Sequence, residues 1–247
     1  MTTRFLLIAA VMIAALNLTA RADVGDQAFE YYAKYKECIA KGDVASAAAN
    51  LGKRAELDTT NAKWQIEAAK FFNEVMCDYN RALKFYNRAV QSYLDDEEVE
   101  NLHYCYSNMA AVYDRQGKGE EAINYYKKAL ETIKYDKNAE PFQTANIYNN
   151  IGTIYQEQNN LEEALDAFKK SLKISKDAKT NNVDAQVDLG MSYYNIGAIH
   201  YSLKQYNEAL ENMEKAYDIF FKSLGQDDET TQMAQKNIAL FKKLLGK

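Results

Sequence analysis

An all-α fold made by repeating one helical hairpin is predicted by three observations on this 247-residue chain. First, Asn108-Met-Ala-Ala-Val-Tyr, Asn150-Ile-Gly-Thr-Ile-Tyr and Asn195-Ile-Gly-Ala-Ile-His are variants of one phrase, each followed fourteen residues after its Asn by Ala122, Ala164 and Ala209. Second, a further copy opens at Asn237-Ile-Ala-Leu-Phe, so successive asparagines lie 42, 45 and 42 residues apart, a period at which stacked repeat units recur. Third, one proline, Pro141, and ten glycines stand against abundant Ala, Leu, Lys and Glu, a balance that favours helix.

The elements follow in order. After Arg4, the run Phe5 to Leu18 is apolar except for Asn17, and Ala20-Arg21-Ala22 places small residues around a cut. Residues 1–22 thus read as a signal peptide cleaved after Ala22, which exports the chain to a periplasmic or secreted location. The run is short of the roughly 20 apolar residues of a membrane span, so cleavage leaves no span; uncleaved, it would be an N-terminal anchor. No cysteine near the cut offers lipid attachment.

The remainder, 23–247, forms one repeat domain. A first repeat, 28–61, breaks at Gly42-Asp43 and pairs Ala33 with Ala47; a second, 63–96, pairs Ala68 with Ala82. The third, 103–136, breaks at Gly117-Lys118-Gly119, a polar turn without the preceding strand of a phosphate loop. In the fourth, 145–178, Ile151, Ile154 and Tyr155 recur at helical spacing, Asn159-Asn160 interrupts them, and Leu161, Ala164, Leu165, Phe168 and Leu172 resume. The fifth, 190–223, breaks near Lys204-Gln205, and a lone helix over 228–245 caps the array. Leu240, Leu244 and Leu245 are expected to cover the end of repeat five while Lys236, Lys242 and Lys243 face water.

Gly152 and Gly197, with Ala110 and Ala239 in equivalent places, sit mid-helix, where Gly costs about 1 kcal/mol against Ala. Their recurrence predicts that the second helix of each hairpin crosses closely there through Ala122, Ala164 and Ala209. Tyr126, Phe168 and Met213 then fill the volume between hairpins. The succession Gly152, Tyr155, Ala164, Phe168 and Ser171, echoed by Ala110, Tyr113, Ala122, Tyr126 and Ala129, resembles the tetratricopeptide repeat, TPR. Gly197, Ala209, Met213 and Ala216 follow it with His200 in the aromatic place. The period and Leu224-Gly225-Gln226-Asp227 look more like the long-repeat form of kinesin light chains than the shorter one. This resemblance implies a right-handed α-solenoid of about five hairpins plus a capping helix, with the first helix of each pair lining a concave face.

Chemistry by side chains finds little material. The formal charge of −5 becomes −7 on losing Arg4 and Arg21, and an acidic surface repels phosphate backbones, which argues against nucleic acid. No nucleophile–base pair, phosphate loop or metal cluster is present in the pattern, so no catalysis, cofactor or metal is expected. His103 and Cys105 are two apart and diverge on a helix, and His200 stands among apolar residues. Cys38, Cys77 and Cys105 allow at most one internal pair and also suit partial burial in helix packing. Glu120-Glu121, Glu162-Glu163 and Glu208 open second helices, where negative charge suits the helix dipole.

The resemblance gives Asn108, Asn150, Asn195 and Asn237 a role: in such families asparagines at this place grip a peptide backbone, to which an amide offers both donor and acceptor. The alternative is that they bond an adjacent helix and fix repeat spacing. Four bonds at about 1 kcal/mol each reach only millimolar affinity, so neighbours must add contact area. Tyr104, Asn146, Asn149, Tyr194 and Tyr201 are expected on that face, with Trp64 either extending it or packed in the core. The places that hold Lys and Arg in chaperone-tail binders hold Tyr104, Ser107, Asn146, Asn149, Met191 and Tyr194 here, so the expected ligand is an internal or extended segment, not a free C-terminus. The expected function is a non-catalytic exported scaffold for a peptide or protein; the other reading is an assembly subunit of an envelope complex acting through its convex face or by self-association.

Overall fold

The structure, a computed structural model, describes residues 23–178 and 182–246; the expected signal segment 1–22 lies outside the described residues. Among these residues the fold is all-α, as predicted, with helices and no strand. Helix α1 covers 23–40, followed by α2 (Val44–Leu57), α3 (Ala62–Glu74), α4 (Tyr79–Asp95), α5 (Leu102–Arg115), α6 (Gly119–Thr132), α7 (Pro141–Glu157), α8 (Leu161–Asp177), α9 (Val183–Ser202), α10 (Tyr206–Leu224) and α11 (Glu229–Leu244). Two compact units divide after Val112, within α5.

Local chemistry sets the boundaries. The side chains of Asp43, Asn61, Asp78, Asn182 and Asp228 accept backbone N–H groups at the starts of α2, α3, α4, α9 and α11. Pro141 opens α7, and the Glu140 N–H donates to Gln143 Oε1 at 2.8 Å. Helices α6, α8 and α10 have no side-chain cap and carry Glu120, Glu121, Glu162, Glu163 and Glu208 in their first turns. Each hairpin turn contains a left-handed residue: Gly42, Cys77, Gly117, Asn159 and Lys204 have φ of 73°, 50°, 72°, 61° and 61°. In four of these turns the next N–H reaches back five residues, as in Lys118 N to Tyr113 O at 2.9 Å and Asn160 N to Tyr155 O at 2.8 Å, which satisfies carbonyls the helix end leaves open.

In the first unit, α3 packs against both α2 and α4. Ala47, Ala55, Ala68, Ala82 and Ala89 are fully buried, and Phe72 stacks on Phe85 with centroids 5.6 Å apart. The expected Ala33–Ala47 contact is absent because Ala33 is exposed. Helix α1 instead holds on through Ala28 and through Tyr32 and Tyr35, the latter edge-on to Phe71. Arg54 lies between Tyr32 and Trp64, at 4.2 and 4.8 Å from the ring centroids, and pairs with Glu67 at 2.5 Å. Trp64 is therefore half-buried against a guanidinium rather than packed in the core.

In the second unit, α7 packs on α8, α9 on α10, and α8 on α9. A Cβ at Gly152 would meet three Phe168 ring atoms at 2.6–2.9 Å, and one at Gly197 the Ala209 carbonyl oxygen at 3.2 Å. Gly190, outside the repeated phrase, sits as tightly, 2.5 Å from Phe220. Ala239 is exposed, since no second helix crosses α11 there among the described residues. The capping contact also differs from expectation: Phe241 is 2% exposed and Leu245 packs on the same core, whereas Leu240 and Leu244 are 40% and 45% exposed. One residue of register decides this, since the buried stripe runs through Thr231, Ala234 and Phe241.

Candidate functional site

In the second unit the first helices α7, α9 and α11 lie in one layer, linked by side chains one repeat apart. Asn237 Nδ2 donates to Tyr194 Oη at 2.9 Å, tying α11 to α9, and Tyr201 stacks on Phe241 at 5.1 Å. Asn150 Nδ2 donates to exposed Asn146 Oδ1 at 3.1 Å, and the Tyr126 hydroxyl also bonds the Asn150 side chain. Burial pushes the Tyr126 phenol well above its ordinary value. Asn195, between these two, is half-buried, and its amide bonds nothing among the described residues. The row thus includes two asparagines engaged with neighbouring helices and one with free donor and acceptor capacity.

Asn149 departs from its expected place. It is 8% exposed and forms a polar knot inside the unit: its amide and the Ser192 hydroxyl exchange contacts at 3.3 Å, and Ser192 lies 2.9 Å from the Ser171 hydroxyl. One residue is about 100° around a helix, so Asn149 turns towards α9 while Asn150 turns away. Ser192 also donates to the Asp188 carbonyl at 3.0 Å, and the Asp188 carboxyl is pushed up to about 6, by burial first and by Asp184 second. No outward contact is available to Asn149.

Asn108 and Tyr104 belong to the first unit. Asn108 Nδ2 donates to the Tyr104 carbonyl at 2.7 Å, on its own helix. The Lys70 ammonium lies 5.0 Å from the Tyr104 centroid, and its hydrogen bond to that tyrosine holds the lysine above its usual value. Tyr201, 41% exposed, is the most open aromatic of the expected set in α9.

Sequence reasoning missed a separate slot of about 550 Å³ between α6 and α8, floored by α7. Leu130, Ile151 and Ala167 supply its apolar part and Glu162 and Glu163 one rim. The signal was the unpaired glutamates, which helix-dipole reasoning had already absorbed. Two thiols are positioned very differently: Cys77 is exposed, whereas Cys105 is buried and burial pushes it up to about 12. All three cysteines are free. His103 Nδ1 donates to the Glu100 carbonyl at 2.7 Å, on the same stretch of chain. Among the described residues no cluster of three His, Cys, Asp or Glu side chains is placed to hold a metal, and no helix is long and apolar enough to cross a membrane.

Family models of the tetratricopeptide repeat match residues 106–177 and 189–227. No curated protein matches the chain in sequence. Among solved structures, BtubC (BKLC) from P. vanneervenii is 21% identical with a TM-score of 0.62, covering 90% of this chain and 84% of its own. PilF of Pseudomonas aeruginosa is 17% identical with a TM-score of 0.56, covering 90% and 91%. YrrB, described as a TPR protein with an unusual peptide-binding site, is 20% identical with a TM-score of 0.51, covering 83% and 90%. At these identities the structures speak for fold alone. Paired helices, small residues at the crossings and the two matching models together identify residues 106–177 and 189–227 of this chain as tetratricopeptide repeats.

Proposed function

We propose that this chain is an exported, non-catalytic scaffold that binds an extended peptide or protein segment along the layer of α7, α9 and α11. Asn195 carries this reading. A half-buried amide with no partner among the described residues, standing between residues that are paired, keeps its donor and acceptor available to a ligand. Asn150, Asn237 and Asn146 flank it, and Tyr194 and Tyr201 add area with polar tips. Three amide bonds at about 1 kcal/mol each fall short of even millimolar affinity, so the tyrosines must supply most of the binding energy and the asparagines the register. Tyr104 and Asn108 provide a similar but internally bonded pair in the first unit. The YrrB description, a TPR protein with a peptide-binding site, supports the class of ligand. Export rests on residues 1–22, and the formal charge of −5 disfavours nucleic acid as partner.

A photo-crosslinking residue at position 195, compared with one at exposed Ala239, identifies what docks from a native envelope fraction. The double substitution Asn150→Leu with Asn195→Leu should abolish capture with helicity by circular dichroism unchanged. Undiminished capture by that variant overturns the groove. N-terminal sequencing of the mature chain should begin at Asp23, and retained Met1 in a cytosolic pool overturns export.

A further inference from the structure

We propose that the slot between α6 and α8 seats the exposed face of α11 from a second copy of this chain. The slot has an apolar floor, with Ile151 and Ala167 buried beneath it, and Glu162 and Glu163 stand exposed at its rim with no ion pair among the described residues. Asp166 beside them is already neutralised by Lys170 at 2.7 Å. Among the described residues Lys127 on the α6 wall is the one unpaired cation of the lining, so the slot offers apolar area and a net negative charge concentrated at Glu162 and Glu163, and it fits a helix that is apolar and cationic on one side.

Helix α11 presents such a side. Lys236, Leu240, Lys243 and Leu244 follow at i, i+4, i+7 and i+8, so they share one face. Both leucines are 40% or more exposed, and both lysines are exposed and unpaired, unlike Lys242, which reaches Glu214 at 3.0 Å. The same chain cannot turn this face into its own slot, because Asn237–Tyr194 and Phe241–Tyr201 fix α11 upon α9. Slot and α11 are different surfaces, so the contact is head-to-tail and extends into chains or rings rather than closing as a symmetric dimer. It involves neither Asn150 nor Asn195 and stands apart from peptide binding.

Sedimentation velocity of the intact protein over a concentration series tests this. Wild type should associate, less so as salt rises. E162K with E163K, or K236E with K243E, should each raise the apparent dissociation constant about ten-fold or more. Mixing these two variants should restore association, because the acidic slot of one meets the basic helix of the other; the Asn150→Leu, Asn195→Leu variant should assemble as wild type does. Wild type that stays monomeric throughout, association indifferent to both charge reversals, or a mixture that fails to reassociate would overturn the proposal. Circular dichroism checks that the substituted proteins keep their helicity, which substitutions at exposed positions preserve.

Discussion

Gly152→Ala separates the two opposing consequences of a mid-helix glycine. Helix propensity alone favours the alanine by about 1 kcal/mol. The new Cβ, however, would lie 2.6, 2.7 and 2.9 Å from three atoms of the Phe168 ring. That ring is fully buried in a cluster with Ala164, Ile196 and Ile199, so it has no free volume into which to swing. Overpacking of this kind costs about 1–3 kcal/mol, and the net expectation is a loss of up to about 2 kcal/mol. Gly52→Ala in α2 is the internal control, because its nearest neighbour, Phe72, is an ordinary 3.5 Å away. There the propensity gain stands alone, about 1 kcal/mol of stabilisation. Amide hydrogen exchange reads the two helices separately, with faster exchange in α7 of one variant and slower exchange in α2 of the other. Placing Gly152→Ala in a Phe168→Leu background should erase most of its cost, the signature of a direct contact. If Gly152→Ala protected α7 as well as Gly52→Ala protects α2, the close-crossing argument would be wrong.

Asn149→Ala should destabilise by about 1–3 kcal/mol in urea titration, because it deprives buried Ser192 of one of its partners, whereas Asn195→Ala should stay within about 0.5 kcal/mol. Maleimide at neutral pH should label exposed Cys77 in the native protein and reach Cys105 only on unfolding, since burial leaves that thiol, at about 12, almost wholly protonated. Asp188 binds its proton more tightly folded than unfolded, so its contribution to stability falls as pH rises from the ordinary 3.8 to about 6; melting curves of Asp188→Asn should show a flatter slope across that window. Lys204→Gly relieves a left-handed residue at φ 61° and should raise the melting temperature slightly, a gain of up to about 1 kcal/mol.

How much could be read in advance varied along the chain. The repeated phrase around Asn150 and Asn195 announced helices, turns and crossings together, because small residues at a crossing and a turn after Tyr155 are local requirements that recur with each unit. In the first unit the phrase fades, and the Ala33 assignment failed for that reason: α1 is held by aromatic and cationic contacts around Arg54, which leave no periodic trace. Gly190 escaped notice since it matches no equivalent glycine, although Phe220 presses on it as Phe168 does on Gly152.

The sequence by itself determined an all-α repeat array, its period and the residues that cross closely, because these depend on spacing along one helix and volume at one contact. Only the tertiary structure decided which way each helix was rotated against its neighbours. That rotation buried Asn149 and left Asn195 unpaired, put Phe241 rather than Leu240 under the cap, and opened a slot beside Glu162. Side chains one residue apart differ by about 100° around the axis, and the packing of three or more helices, not any single one, selects among those directions.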